Sequence, residues 1–352
     1  KPTGVPAMST VKDQIITEQY AIYNSDCMEV LPTLPDNSIG LSVYSPPFAG
    51  LYQYSSDPRD MSNCESREQF LQQYDFLVEQ IARVTKPGRI TAVHCTDVFD
   101  NSCNLWDFPN EIIKIHARHG FQYRCRQIVR KEPLKVRMRT MVKSLMHKLV
   151  VEDMTQCFSA MPDYVLIFTK KGDSVDPVIH PFGLTEFPYF GEEPILPHFM
   201  KAWNNDDQNP KMDTPEQLWA HLNYSYADHN DPKTNKLSHY TWRRYADAFW
   251  DDIRIDNVLP YRDSKEEDDE KHVHPLQLDV IDRIVYMYSN KSDTVLTPFM
   301  GVGSEVYSPV SMGRKAIGIE LKDSYFKQAR INLTMASSRF DSVEIPIQDM
   351  LI

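Results

Sequence analysis

The residues in this chain best suited to chemistry form the corner Ser45-Pro46-Pro47-Phe48, which closes the apolar run Ile39-Gly40-Leu41-Ser42-Val43-Tyr44. Two consecutive prolines fix φ and remove two backbone N–H donors, so the corner presents carbonyl oxygens with no local donor. Such oxygens call for a donor from outside. The exocyclic amino group of cytosine or adenine is one, and accepting its proton frees the nitrogen lone pair to attack an electrophilic methyl. Phe48 adds a flat apolar face on which a base turned out of its stack can lie. A Pro-Pro after a strand is also an ordinary turn, and only the rest of the chain separates the two readings.

Near the other end, Thr294-Val295-Leu296-Thr297-Pro298-Phe299-Met300-Gly301-Val302-Gly303-Ser304 reads as a short apolar strand entering a Gly-x-Gly loop. Sixteen residues past Ser304, Glu320 ends a second strand, Ala316-Ile317-Gly318-Ile319-Glu320. An acid at the tip of the strand after a glycine loop can accept hydrogen bonds from both ribose hydroxyls of a nucleoside cofactor. The third glycine of the dinucleotide fingerprint is missing, which argues against a pyrophosphate-bearing cofactor.

Together these motifs resemble the S-adenosylmethionine-dependent DNA amino-methyltransferases of the cytosine-N4/adenine-N6 family, in the permuted β-type order with the target-base motif first and the cofactor loop last. The resemblance runs over residues 20–170 and 270–335. It takes in Tyr23-Asn24-Ser25-Asp26-Cys27-Met28-Glu29-Val30-Leu31, the turn Val84-Thr85-Lys86-Pro87-Gly88-Arg89-Ile90 and His274-Pro275-Leu276-Gln277-Leu278. Asp57-Pro58-Arg59-Asp60-Met61 and Gly303-Ser304-Glu305-Val306-Tyr307 are similar to versions carried by phages and prophages, sometimes beside a helicase.

The resemblance implies a site-specific DNA-methyltransferase with S-adenosyl-L-methionine as cofactor and double-stranded DNA as partner. Ser45, Pro46, Pro47 and Phe48 become the catalytic corner. Asp26 faces the cofactor adenine and Glu320 its ribose. Phe299, Gly301 and Gly303 lie against the nucleoside and methionine, with Thr297, Pro298 and Ser304 in the same loop, and His274, Pro275 and Gln277 close the far side. The family usually has Asp where this chain has Thr297, a carboxylate that helps to hold the cofactor's charged end. Ser45 favours cytosine N4 over adenine N6 as the target. A catalytically silent DNA-binding module that kept the fold is the reading from another class.

Other chemistries fit less well. The eleven histidines form no helical His-x-x-x-His pairing of a metal hydrolase, so no metal site is expected. No cysteine follows a proline, as the covalent nucleophile of cytosine-C5 methyltransferases requires. Protein-glutamine methyltransferases share a Pro-Pro-aromatic corner, but their cofactor loop precedes it. The six cysteines (Cys27, Cys64, Cys95, Cys103, Cys125, Cys157) include no Cys-x-x-Cys pair, which points away from zinc and disulfides and towards a reducing cytoplasm, bacterial or of a phage-infected host.

At 352 residues, 41% hydrophobic and 25% charged, the composition is that of a soluble globular protein. No apolar run is long enough to span a membrane, and the first eight residues hold no signal core. Lys1 in place of Met points to a tag remnant or excised domain, with Met8 as a native start. The net charge of -11 hides a segregated pattern. From Arg124 to Lys148 there are nine basic residues against one acid, Glu132. Of these Arg130, Lys131, Lys135, Arg137, Arg139, Lys143 and Lys148 are expected to hold DNA phosphates. A homodimer and a helicase or restriction partner remain open.

The elements that must position these residues follow from periodicity. Residues 39–45, 89–95, 123–129 and 164–169 read as strands, and 68–84 shows the helical spacing of Phe70, Tyr74, Leu77 and Ile81. The alternation predicts an α/β fold with a mostly parallel sheet and helices on both faces, and the resemblance implies that it is Rossmann-like, doubly wound and seven-stranded, with an antiparallel edge hairpin. The expected divisions are an extension at 1–19, a target-base half at 20–171, a loop-rich target-recognition insert at 172–271, a cofactor half at 272–340 and a tail at 341–352. The insert contains Trp203, Trp219, Trp242 and Trp250, expected mainly as local core, and His239-Tyr240-Thr241-Trp242-Arg243-Arg244 is its first candidate for reading base edges. The acidic run 266–270 reads as a solvated linker.

Overall fold

The computed structural model describes residues 11–47, 59–99, 104–140, 142–174, 176–181, 183–184, 197–224, 236–264 and 274–341. The chain divides into two compact units, Lys1–Pro177 with Asp251–Ile352, and Val178–Trp250.

In the first unit the strands are β1 (Asp13–Ile16), β2 (Tyr20–Asn24), β3 (Ile39–Tyr44), β4 (Thr85–Cys95), the short pair β5 (Val98–Phe99) and β6 (Leu105–Trp106), β7 (Phe121–Val129) and β8 (Asp163–Lys170). The second unit contributes β9 (Phe249–Trp250), and the chain returns to the first with β10 (Thr294–Thr297) and β11 (Lys315–Glu320). The first unit's main sheet runs β1-β2-β11-β10-β3-β4-β8-β7. From β2 to β4 every neighbour is parallel. β8 then pairs antiparallel with both β4 and β7, forming the expected edge hairpin. The seven predicted strands are present, and β1 adds an eighth by pairing antiparallel with β2. Residues 13–16, read from sequence as part of an extension, therefore belong to the sheet.

The helices of the first unit are α1 (Cys27–Val30), α2 (Arg67–Val84), α3 (Phe108–Arg118), α4 (Pro133–Thr140), α5 (Leu149–Glu152), and, past the second unit's α6 (Pro197–Asn205), α7 (Pro215–Tyr224) and α8 (Lys236–Tyr245), α9 (Leu278–Tyr288), α10 (Ser304–Ser311) and α11 (Asp323–Asp341). On α2 the predicted stripe Phe70, Tyr74, Leu77 and Ile81 is fully buried, and Ser66 caps its start by accepting from the Gln69 N–H at 3.1 Å. These side chains join α3 in one core over β3, β4 and β8, whereas α10 and α11 form a second with β2 and Ala316. Successive residues Ala316 and Ile317 of β11 belong to opposite cores, as the period-two strand requires.

The turn expected at 84–90 is absorbed into β4 as an irregularity: the register jumps from Ile39↔Thr85 to Leu41↔Ile90, and Gly88 adopts φ +73°, a conformation that glycine takes without penalty. Beneath it a buried ion pair joins Arg89 to Asp293 at the start of β10, and Arg89 also donates to the Asp176 carbonyl at 2.9 Å.

The second unit corrects the loop-rich expectation. It carries three helices whose side chains Trp203, Leu218, Leu222, Leu237 and Tyr240 form their own core, and it spans 178–250 rather than 172–271. Trp203 and Trp250 are buried, as local core should be, while Trp242 is 60% exposed. In the 239–244 segment Tyr240, Thr241 and Arg244 face inward, leaving His239, Trp242 and Arg243 at the surface. The acidic run 266–270 and the tail from 342 onward lie outside the described residues.

Candidate active site

The C-terminal ends of parallel strands are where an α/β sheet leaves a crevice, at the point where connections diverge to either side. Here β3, β10 and β11 are adjacent, and their ends open into one cavity of about 610 Å³ that brings together Ser45, Pro46 and Pro47 with Asp26, His274, Phe299 and Glu320. The two motifs furthest apart in sequence are in contact at its floor: the rings of Tyr44 and Phe299 meet edge to face at 6.1 Å. Tyr44, fully buried, is held from behind by Tyr74 Oη at 3.2 Å and His116 Nε2 at 3.3 Å. This fixes the strand end from which Ser45 projects.

Glu320 is positioned by β11 and held by two backbone donors, the N–H of Gly301 on Oε2 at 2.9 Å and that of Lys322 on Oε1 at 2.8 Å. Each carboxylate oxygen keeps a second lone pair for a ligand. Burial pushes the Glu320 carboxyl up to about 7, against the pull of these two N–H groups. Asp26 caps α1, accepting from the Met28 N–H at 2.9 Å. Burial raises its carboxyl too. Gly301 has φ +52° and open space where a Cβ would project, so the loop leaves that side of the cavity clear. His274, whose Nδ1 lies 2.5 Å from Tyr261 Oη, shares the wall with Pro275 and Gln277.

Two of the expected cofactor residues stand elsewhere. Thr297 is 1% exposed, its Oγ1 has no hydrogen-bond partner, and it does not line the cavity. Gly303 also stands back from the wall. Its φ of +96° starts α10, and a Cβ there would come within 3.2 Å of Ala329 Cβ, so its role is close helix packing. Pro298, Phe299, Gly301 and Ser304 do line the cavity. Phe48 lies outside the described residues.

Behind Ser45 the structure places a polar chain that no sequence motif announces. Ser45 Oγ is 2.5 Å from His94 Nδ1 at the end of β4, with the His94 carbonyl oxygen a second acceptor at 3.3 Å. His94 Nε2 lies 3.2 Å from Asp163 Oδ2, at the start of β8. Asp163 Oδ1 receives Lys131 Nζ at 2.5 Å. Burial alone would raise the Asp163 carboxyl, but the Lys131 ammonium and His94 hold it well below the usual carboxylate range. An ionised Asp163 beside Nε2 favours the tautomer protonated there, which leaves Nδ1 free to accept from the serine. The pairing of β4 with β8, His94 one residue from the strand's last, is what brings these groups together.

The basic segment is thereby divided. Lys131, expected on phosphate, is committed to Asp163 and lines the cavity. Arg130, Lys135, Lys143 and Lys148 are exposed and Arg137 is partly buried. The side chain of Arg139 lies outside the described residues. Lys148 also lies 3.5 Å from Glu152 one helical turn on. Val136, Val142 and Leu145 of the same segment reach the cavity wall.

Known proteins resemble the chain over nearly its whole length. The Type II methyltransferase M.BamHI of Bacillus amyloliquefaciens is 22% identical over 318 residues, 90% of this chain but 57% of its own. The chain thus spans little more than half of that relative. Among solved structures, TTHA0409 of Thermus thermophilus, complexed with S-adenosyl-L-methionine, superposes with TM-score 0.52 at 19% identity, covering 89% of this chain and 93% of its own. The PvuII DNA methyltransferase, cytosine-N4-specific, superposes with TM-score 0.54 at 14% identity over 95% and 97% of the two chains. Both likenesses establish the Rossmann-like methyltransferase fold. The family model N6_N4_Mtase, described as DNA methylase, matches residues 39–330, most of the chain, and the chain belongs to that family.

Proposed function

We propose that the protein transfers a methyl group from S-adenosylmethionine to the exocyclic amine of a base flipped out of DNA, with cytosine N4 favoured over adenine N6. The observation that carries the reading is the single cavity that holds both the Glu320 carboxylate and the Ser45 hydroxyl with its His94–Asp163–Lys131 support. The residues present suit the cofactor. Asp26 and Glu320 both line the cavity, which suits them to an adenine and to two ribose hydroxyls, and the open space at Gly301 suits a nucleoside. When bound, the cofactor supplies an electrophilic methyl on a positively charged sulfur.

The chain's own contribution is positioning and proton handling. Pro46 and Pro47 line the cavity, and the target amine donates to the Pro46 carbonyl and to Ser45 Oγ. These contacts orient the nitrogen lone pair towards the methyl, where alignment rather than covalent catalysis lowers the barrier. As the nitrogen forms its new bond, it sheds a proton to Ser45, whose own proton passes to His94 Nδ1. Asp163 stabilises the imidazolium, and Lys131 keeps Asp163 ionised. A serine alone is a weaker acceptor than the carboxylate or amide more usual with adenine; His94 supplies the missing basicity. The cytosine preference rests on Ser45, and the cytosine-N4 specificity of the PvuII enzyme is in keeping with it.

The test is to incubate the protein with methyl-tritiated S-adenosylmethionine and duplex DNA, then to digest the DNA and identify the labelled nucleoside. N4-methylcytosine is the expected product. Labelled N6-methyladenine with unlabelled cytosine would overturn the choice of base. Cofactor and DNA binding without transfer would favour the silent-module reading.

A further inference from the structure

A buried carboxylate that the catalytic reading leaves unused stands in the first turn of α10. Glu305 is 5% exposed and lines the same cavity as Glu320. Its carboxylate accepts from its own backbone N–H, and the one charge that bears on it among the described residues is that of Glu320, which repels it. A buried anion without a cation is costly, so proteins pair such groups or keep them protonated. A second observation points the same way: the neighbouring Ser304 Oγ, 1% exposed, has no hydrogen-bond partner and also belongs to the cavity wall. This corner holds a carboxylate with no cation beside it and a hydroxyl with no hydrogen-bond partner among the described residues. Meanwhile Thr297, at the position where the family's carboxylate stands, is buried and does not line the cavity.

We propose that Glu305 holds the α-ammonium group of the cofactor's methionine, supplying from α10 the negative charge that position 297 lacks. The inference rests on the cofactor reading above and names a residue for it. A primary ammonium presents three N–H donors, which a carboxylate and an adjacent hydroxyl can share. The sulfonium has none and offers a point charge only. Glu305 follows the glycine loop directly, so its side chain is fixed by the same helix start that places Gly301 beside Glu320.

Proton linkage gives a signature that mere structural packing would not. Burial and Glu320 push the Glu305 carboxyl up to about 8, so it carries a proton in the free protein at pH 7 and must release it when a cation binds. Other titratable groups nearby include Asp26 and Asp60 on the cavity wall and the buried Asp282 of α9. Lys322 bears on Glu320, Tyr325 of α11 shares the cavity wall, and on α9 Asp279 and Arg283 are paired with Arg254 and Asp252.

Isothermal titration of wild type and Glu305→Gln with S-adenosylmethionine and with S-adenosylhomocysteine tests this. Both ligands carry the ammonium and only the first carries the sulfonium. The variant should bind both on the order of 10- to 100-fold more weakly, as for loss of a charged hydrogen bond, and release fewer protons when titrated in buffers of different ionisation heat. Wild-type affinity should rise from pH 6 to pH 7.5, below the range near 8 where an α-amino group itself loses its proton, and the variant's should stay flatter. Glu305→Asp, which keeps the charge, serves as the comparison if the glutamine variant does not fold, and should keep the proton release while losing affinity. Equal binding by wild type and Glu305→Gln would overturn the inference and leave the cofactor reading intact. A loss confined to S-adenosylmethionine would overturn the ammonium assignment. No binding of either ligand by wild type would overturn both readings.

Discussion

A serine hydroxyl is a poor base, and in the proposed mechanism three further residues change that. His94 Nδ1, 2.5 Å from Ser45 Oγ, would take the hydroxyl proton, with Asp163 Oδ2 3.2 Å from His94 Nε2 and Lys131 paired with Asp163. The chain they form leads away from Ser45 towards β8 and not towards Glu320, so the arrangement predicts a separation of effects. His94→Ala should lower the rate of methyl transfer on the order of 10²- to 10⁴-fold, the usual span for a general base, while S-adenosylmethionine binding stays within error of wild type. Asp163→Asn should lose a large part of the same factor, because an amide no longer favours the Nε2-protonated tautomer. Single-turnover kinetics alongside calorimetry would check both. A His94 variant that turns over normally would remove the histidine from the proton path.

At the scale of elements, the segment from β7 through α4 does two jobs that its run of positive charge conceals. Arg130, Lys135 and Lys143 are exposed, whereas Lys131 turns inward to Asp163. Neutralising the first three should weaken binding to all duplex sequences alike and reduce the salt slope by about 0.9 for each phosphate no longer neutralised. Lys131→Met should instead slow methyl transfer with little change in slope. Fluorescence anisotropy across a salt series, set beside turnover, distinguishes the two; a Lys131→Met slope as reduced as that of the triple variant would return this residue to the DNA backbone. Charge density in a sequence shows that a segment is basic and not which way each side chain points. Whereas the edge hairpin comes from the family resemblance, the strands and α2 can be read from period, since local spacing records them. The Ser45–His94–Asp163 chain cannot: its members lie 49 and 69 residues apart, and only the β4–β8 pairing makes them neighbours. Thr297 and Glu305 are visible as residues, but which of them faces the cavity depends on the turn of backbone between β10 and α10. The 178–250 unit reads as loops in sequence because its Pro, Asn and Asp residues mask three short helices.

Across the whole molecule, the cavity draws its walls from both ends of the chain, with residues at the ends of β3, β4 and β8 on the one hand and of β10 and β11 on the other. Closing such a crevice around acids has a consequence for stability that does not depend on any ligand assignment. Glu305 and Glu320 are raised from an ordinary value of 4.5 to about 8 and about 7. Between 4.5 and those values the folded protein therefore holds more protons than the unfolded chain, and linkage makes its stability fall as pH rises through that window. The contribution of these two groups is most favourable below about pH 4.5 and most unfavourable above about pH 8. Glu305→Gln, which mimics the protonated form at every pH, should remove part of that fall. Its Tm relative to wild type should thus increase steadily from about pH 5 to about pH 8.5, and by more at the alkaline end than a surface Glu→Gln control. Differential scanning calorimetry over that range reads the difference directly. A Tm difference independent of pH would mean that Glu305 is not buried as a proton-holding acid, and would remove the reason for expecting a cation beside it.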